Sequence, residues 1–243
     1  MNLMEIFLVA LLTIVASAIG TVSGFGISTL MVPIMLLFLP YAETLLFVGV
    51  VHWFGDVWKL FLFKRGLNWK ILLAFGVPGV ILAYLGASLT FQVSTLILSR
   101  LVGIFLIAYV LFITLRPKFK IKPNTVTALI GGGFSGLMGG LTGVGGGAIR
   151  AVVLTAFNLQ KEVYVFTTGI VGATVDASRI AGYFTGGTRI THPLLLGLPI
   201  FVLASFIGVK IGKVMVDRIP QEKFRYVVAF FLFVIGVKFA LFP

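Results

Sequence analysis

Two acid–base pairs stand at matching positions in the two halves of this 243-residue sequence. Lys59 follows Asp56 by three residues, and Arg179 follows Asp176 by three residues. This spacing puts both members of a pair on one face of a helix. Long apolar runs surround both pairs, and a charge in such a run is costly unless it faces protein, water or substrate. The pairs are therefore candidates for binding or gating a charged substrate, and the alternative is that each pair only neutralises itself.

His52 and Arg150 could extend this chemistry. His52 precedes Asp56 by four residues on the same helix face, and a His–Asp pair can carry a proton. We therefore predict a gating or relay role for His52, Asp56 and Asp176, with a purely structural histidine as the alternative. Arg150 offers five donors and a permanent charge, which suit an anion. The alternative for Arg150 is that it extends to the membrane interface.

Two glycine-rich segments, 20–26 and 139–147, could complete an anion site. Glycine permits positive φ and close backbone approach, and a helix that begins after such a turn presents free N–H groups and a partial positive charge. The alternative is that the glycines only allow tight helix packing. The predicted substrate-binding residues combine these backbone turns with nearby hydroxyls and cations: Arg150, Gly143, Gly145, Gly146, Gly147, Thr142, Ser23, Gly24, Gly26, Arg179 and Lys59.

The composition restricts the class of protein that can carry these residues. Hydrophobic residues make up 59% of the chain and charged residues 11%, against about 25% charged residues in an average soluble protein. This excludes a soluble enzyme, a disordered regulator and a nucleic-acid-binding domain. The net charge is +12, and the basic residues that produce it lie between apolar runs. Their positions therefore predict the membrane topology and contact with anionic lipids. There are no cysteines, and we predict neither a cofactor nor a metal site.

The apolar runs predict an all-α polytopic membrane protein. A helix needs about 20 apolar residues to cross the hydrocarbon core. Six runs have about that length: 44–63, 70–91, 95–115, 162–183, 193–213 and 222–242. Two longer tracts, 3–40 and 124–158, are interrupted by the glycine segments. Each tract should form two helical pieces joined by a glycine-rich turn, with a short second piece.

The two halves align at an offset of about 120 residues, with the acid–base pairs and the glycine turns in register. Each half then has five passages, an odd number, so the halves must insert with opposite orientation. We predict two inverted repeats in one membrane domain, 1–118 and 119–243. Each repeat has a Gly-broken, re-entrant-like helical hairpin plus three transmembrane helices. The basic loops 64–70 and 116–122 should lie inside and both termini outside. Inverted repeats with broken helices are typical of secondary transporters, whose substrate site lies near the midplane.

The run 143–149, Gly-Val-Gly-Gly-Gly-Ala-Ile, resembles the glycine signature of the TauE/SafE sulfite-exporter family, which is approximately G-x-G-G-G followed by apolar residues and a proline. The first half keeps the proline, Pro33, but has Ile27 and Ser28 where further glycines belong. The second half has Val152 in the proline position. The resemblance implies export of small sulfur-containing anions such as sulfite and organosulfonates.

From these observations we predict a secondary transporter in the cell (plasma or inner) membrane that exports a small anion, a sulfur oxyanion or organosulfonate. Its expected partners are this small anionic substrate, membrane lipids and, as a possible homo-oligomer, further copies of the chain, but not nucleic acid. The chain contains no G-x-x-x-x-G-K-[ST] motif for ATP, so active pumping would need another subunit. The alternatives are an intramembrane enzyme acting on lipid phosphates and a passive anion channel.

Overall fold

A computed structural model describes residues 3–63, 69–90, 95–116, 119 and 121–242, and the regular structure in these ranges is helical. The ten helices of this described part are α1 (Leu3–Ser23), α2 (Ser28–Met35), α3 (Tyr41–Phe63), α4 (Trp69–Leu89), α5 (Thr95–Leu115), α6 (Thr125–Thr142), α7 (Gly146–Ala156), α8 (Lys161–Thr185), α9 (His192–Arg218) and α10 (Gln221–Leu241). The predicted all-α fold is confirmed, and each predicted span coincides with one of these helices.

Five of the helices, α1, α3, α4, α9 and α10, are long and apolar enough to cross a membrane. The predicted breaks in the two longer tracts are also present, between α1 and α2 and between α6 and α7. With 8 and 11 residues, α2 and α7 are only about 12 and 16 Å long, so neither can cross a core of about 30 Å. Each half therefore runs in the order long helix, short helix and three further long helices.

Glycine determines where α6 ends. Gly143 adopts the left-handed conformation, with φ of 72°, and its N–H donates to the carbonyl oxygen of Gly139. This arrangement is a common helix C-cap, which glycine adopts without steric cost. The turn leaves the first N–H groups of α7 without acceptors inside their own helix. The sequence thus produces a helix N-terminus in the protein interior.

Small residues allow the long helices to pack closely. Gly132, Gly136 and Gly140 of α6 lie against the α4 backbone at Phe75, Gly79 and Ala83. A Cβ atom at any of these glycines would overlap an α4 carbonyl oxygen. Gly208 and Gly212 of α9 lie against α1 in the same way. Glycines four residues apart are a common contact between membrane helices, because they let two backbones approach.

The packing partners are reciprocal between the two halves. The helix α1 packs on α9 as α6 packs on α4, while α3 packs on α8 and α5 on α10. If α6–α10 repeats α1–α5, the first two contacts map onto each other and the last two map onto themselves. This reciprocity favours the inverted-repeat organisation, which stays a prediction. Residue 118 at the predicted boundary, residues 64–68 of the first basic loop, and residues 117, 118 and 120 of the second lie outside the described residues.

Cysteine labelling tests the predicted orientation, because the native chain contains no cysteine. We expect Lys122→Cys to react with a membrane-impermeant thiol reagent only from the inner face, since the basic loops should remain inside. Thr185 is exposed at the end of α8, so Thr185→Cys should react only from the outer face. Reaction of residue 122 from the outer face alone would contradict the topology.

Candidate functional site

Seven polar or charged side chains meet in the interior between α2, α3, α7 and α8. Their exposed fractions do not exceed 4%. We refer to this group as the central cluster: Ser28, His52, Asp56, Lys59, Arg150, Asp176 and Arg179. Apolar side chains such as Leu3 and Phe7 are exposed on the outside of the protein instead, as expected where the surrounding solvent is lipid.

Both predicted acid–base pairs form inside the central cluster. Lys59 Nζ donates to Asp56 Oδ1 at 2.7 Å, and Arg179 Nε donates to Asp176 Oδ1 at 2.7 Å. The spacing of three residues supplies this geometry within each helix. A buried charge needs a close partner, because it has lost its hydration. Pairing therefore offsets the hydration free energy that each of these four charges loses when it is buried.

Arg179 also connects the two halves of the chain. Its Nη1 donates to the carbonyl oxygen of Gly143 at 3.0 Å, and its Nη2 donates to Ser28 Oγ at 2.9 Å. One guanidinium thus links α8 to the second glycine turn and to the start of α2. Lysine could not replace it, because an ammonium group lacks the planar fork of donors.

The hydrogen bonds of His52 fix its tautomer. Its Nδ1 lies 2.8 Å from Ser28 Oγ and 3.2 Å from Arg179 Nη2. Arginine can only donate, so Nδ1 accepts and the neutral ring carries its proton on Nε2, which lies 3.7 Å from Asp56 Oδ2. Asp176 Oδ2 lies 3.0 Å from Nδ1, where it would accept a proton added to that nitrogen. His52 therefore has different partners in its two protonation states.

Arg150 lies on α7, one turn after the glycine turn. Its side chain is 3% exposed, and among the described residues its Nε and Nη2 have no hydrogen-bond partner. The nearest carboxylate oxygen, Asp56 Oδ2, is 3.8 Å from Nη2. Three cations, Lys59, Arg150 and Arg179, thus face two carboxylates, which leaves one positive charge in the central cluster while His52 is neutral. This is an arrangement that favours an anion.

A small cavity lies beside the two arginines. Its volume is about 20 Å³, close to that of one water molecule. Its walls include several predicted site residues: Gly143, Gly146, Gly147, Arg150, Arg179, His52 and Asp176. The first turn of α7 forms one of these walls, so its free N–H groups lie beside the guanidinium groups. The structure thus brings the cations and the second glycine turn together around one space.

Other predicted site residues lie around this cavity without lining it. Lys59 and Asp56 belong to the central cluster and approach the cavity through Arg150. The hydroxyls of Ser23 and Thr142 donate to carbonyl oxygens of their own helices, those of Ile19 and Met138. Three glycines make room for neighbouring side chains: Gly24 for Tyr164, Gly26 for His52 and Gly145 for Val102.

The sequence analysis did not identify Ser28 or Gly172 as site residues. Ser28 occupies a glycine position of the degraded first motif, and that departure from the pattern was its only signal. Gly172 matches His52 in the other half. A Cβ atom at Gly172 would overlap Asp56 Oδ2 and lie 2.9 Å from Arg150 Nη1. Glycine at this position therefore provides the space in which Arg150 approaches Asp56.

His52, Asp56 and Asp176 have the geometry of a possible cation site. Their ligand atoms lie within 4.8 Å of one another, and all three residues are buried. The same carboxylates, however, each bind a permanent cation at 2.7 Å. These cations repel a metal ion and attract an anion. The electrostatics of the cluster thus favour an anionic ligand over a metal.

The chain is similar to known protein sequences over most of its length. Residues 9–239 match the family described as sulfite exporter TauE/SafE. The chain is also similar to a probable membrane transporter protein of Methanocaldococcus jannaschii. The two sequences are 23% identical over an alignment of 253 positions, which covers 92% of this chain and 91% of that protein.

Replacement of Arg179 tests whether the cluster depends on it. We expect Arg179→Met to lower the free energy of unfolding by about 3–5 kcal/mol, because Asp176 keeps a buried charge without its close cation. The denaturant midpoint of the purified protein in detergent measures this loss.

Lys213→Met is the matched control. Lys213 Nζ contacts Asp217 Oδ2 at 2.6 Å, but the two side chains are 34% and 47% exposed. Breaking this pair should cost less than about 1 kcal/mol. Equal losses of unfolding free energy in the two variants would show that the buried pair stabilises the protein no more than the exposed one.

Proposed function

This chain belongs to the sulfite exporter TauE/SafE family of multi-pass membrane transporters, and from that premise we propose that it exports a small oxyanion, a sulfur oxyanion or organosulfonate, as a secondary transporter. The central cluster is the proposed binding site. The observation that carries the proposal is Arg150, a buried cation beside an interior helix N-terminus, whose Nε and Nη2 have no hydrogen-bond partner in the part of the chain that the structure describes. A membrane protein gains nothing in stability from such a group, because unsatisfied charged donors cost more than neutral ones.

An oxyanion would supply the acceptors that Arg150 lacks. Guanidinium groups bind planar or tetrahedral oxyanions through two parallel hydrogen bonds, and these charge-assisted bonds are roughly twice as strong as neutral ones. The N–H groups of the first α7 turn provide further donors on the same side of the cavity. A sulfite or sulfonate group has three oxygens, which can share the donors of Arg150, Arg179 and this turn. The excess positive charge of the cluster favours binding of an anion over a neutral molecule.

The two carboxylates and His52 are the proposed gating groups. In the structure, Asp56 Oδ2 is the carboxylate oxygen nearest to Arg150 Nη2, at 3.8 Å. An incoming anion would compete with Asp56 for Arg150, so binding would loosen a contact that joins α3 to α7. The cavity of about 20 Å³ is too small for a sulfonate. This cavity supports a cycle in which the helices separate to admit the anion and close again when the site is empty.

The membrane potential favours the export direction. If the protein lies in the plasma or inner membrane, with the inside negative, moving one charge through 100 mV contributes about 2.3 kcal/mol. An anion would then move outward without a coupling ion. A passive channel would use the same driving force, but unlabelled substrate on the far side of the membrane would not accelerate the efflux of labelled substrate.

One observation bears on the alternative of an intramembrane enzyme. Ser28, His52 and the two carboxylates have the residue types of a hydrolase triad, and Ser28 Oγ lies 2.8 Å from His52 Nδ1. However, Arg179 donates to the same Oγ, and this bond reduces the nucleophilicity of the hydroxyl. The adjoining cavity also has no room for a lipid phosphate. Family membership and this geometry favour transport; phosphate release from a lipid pyrophosphate would instead indicate an enzyme.

Substitution of Arg150 tests the site. We expect Arg150→Ala to reduce sulfite or sulfonate efflux from proteoliposomes by at least about a hundredfold, since it removes two charge-assisted hydrogen bonds of about 1.5–3 kcal/mol each. Arg150→Lys should also be impaired, because a point charge does not reproduce the fork. Arg189→Ala, at an exposed arginine, is the control and should retain flux. Normal flux in a folded Arg150→Ala protein would refute the site.

Exchange of partners within the ion pairs tests whether they do more than neutralise each other. We expect the double variant Asp176→Arg, Arg179→Asp to lose transport, because Arg179 also holds Gly143 and Ser28. Reversal of the exposed pair, Lys213→Asp with Asp217→Lys, keeps the same net charge and should retain transport, because these two side chains are 34% and 47% exposed. Flux at the native level in the Asp176→Arg, Arg179→Asp variant would show that these two residues only neutralise each other.

A further inference from the structure

A second cavity lies where α7 ends and where α8 and α10 begin. Its volume is about 320 Å³, within the range of small-molecule pockets. Residues from the three helices line it, among them Thr155, Tyr164, Glu222 and Arg225. We refer to it as the access cavity and to this side of the protein as the Lys161 face. Unlike the central cavity, the access cavity has room for a sulfonate-sized anion with some of its hydration water.

Tyr164 forms the wall of the access cavity that faces the first glycine turn. Its side chain is 1% exposed, and its hydroxyl donates to the carbonyl oxygen of Ser23 at 2.6 Å. The Phe224 ring packs edge-on against it, with 5.3 Å between the ring centroids. Gly24, with φ of 79°, has no side chain that could displace the phenol ring. Tyr164 of the second half thus holds the turn of the first half.

The opposite side of the same turn touches the central cluster. Gly26 lies directly against His52, and a Cβ atom at Gly26 would overlap the imidazole ring. Tyr164 and the turn 24–26 therefore lie between the access cavity and His52. Along α7 the separation is also short, because Arg150 lines the central cavity and Thr155 the access cavity. Five residues of helix correspond to about 7.5 Å.

We propose that the access cavity is the route by which the anion reaches the central cluster, and that Tyr164 is the gate of this route. The gate opens when the phenol ring rotates away from Ser23. The hydrogen bond to Ser23 and the packing of the ring on Phe224 hold it closed, and a neutral hydrogen bond is weak enough to break in each cycle. Movement of one half of the chain against the other would break the same bond, because Ser23 and Tyr164 belong to different halves. The identity of the ligand as an anion rests on the proposed function, but the existence of the gate does not.

Thiol accessibility tests the gate without any transport measurement. Ser135→Cys places a thiol on the wall of the central cavity, in a chain with no other cysteine. Glu222→Cys places an exposed thiol in the access cavity as the positive control. The probe is a membrane-impermeant thiol reagent that carries a sulfonate, added to vesicles of either orientation. Protein that elutes as a single species in detergent establishes that each variant is folded.

We expect Glu222→Cys to react rapidly from the Lys161 face and Ser135→Cys to react slowly. Adding Tyr164→Phe, which removes only the hydroxyl, should accelerate reaction at residue 135 from that face by about tenfold, equivalent to about 1.4 kcal/mol. Tyr164→Ala, which removes the ring, should accelerate it further. From the opposite face, neither substitution should change the rate.

Tyr183→Phe is the matched control. Tyr183 lies on the same helix, is equally buried, and also donates to a backbone carbonyl oxygen, that of Gly140. It is 19 residues, or about 28 Å of helix, away from Tyr164. Its substitution should not accelerate labelling from the Lys161 face. An unchanged rate at residue 135 in both Tyr164 variants, or equal acceleration by Tyr183→Phe, would overturn the gate. Gated labelling together with absent anion flux would instead refute the proposed function and leave the gate in place.

Discussion

The buried guanidinium of Arg179 is the interaction on which the rest of the site depends. It neutralises Asp176 within α8, and its remaining donors hold the Gly143 carbonyl and the Ser28 hydroxyl. Through Ser28 it also determines which nitrogen of His52 carries the proton. A charge in a nonpolar interior has to satisfy its donors locally, so one side chain fixes the relative position of α2, α8 and the second glycine turn. The cavity beside Arg150 exists only because these elements are held in place.

The two halves contribute different chemistry to matching positions. At the offset that aligns Gly24 with Gly143, Ser28 matches Gly147 and Met31 matches Arg150. In α3 and α8, His52 matches Gly172. The second half thus supplies the unpaired cation and the small residues that make room for it. The first half fills the corresponding space with a histidine and a hydroxyl. The predicted repeats would therefore carry an asymmetric site, with the proposed anion-binding donors on one side and a group able to accept a proton on the other.

Much of the fold could be predicted because its signals are local. Apolar length predicted the spans, and glycine predicted the two helix breaks, since positive φ at Gly24, Gly26 and Gly143 is costly for other residues. The acid–base pairs followed from helix geometry alone. The site was predicted less completely. Ser23 and Thr142 were chosen for their closeness in sequence to the turns, and their hydroxyls donate to the preceding helical turn, as serine and threonine commonly do in helices. Thr142 Oγ1 also accepts from the Val144 N–H within the second glycine turn.

The sequence by itself determined that this chain is a multi-pass helical membrane protein, where its helices break, and that Asp56 and Asp176 each have a cation one helical turn away. These properties depend on composition and on spacings of a few residues. Only the tertiary structure decided that His52 meets Ser28, Asp176 and Arg179, and that Tyr164 closes on Ser23. It also decided that two nitrogens of Arg150 find no hydrogen-bond partner among the described residues. The contacts of His52 and Tyr164 join residues 24 to 141 positions apart. No local periodicity encodes them, because they follow from the packing of α3 against α8 and from the depth to which each hairpin enters the protein.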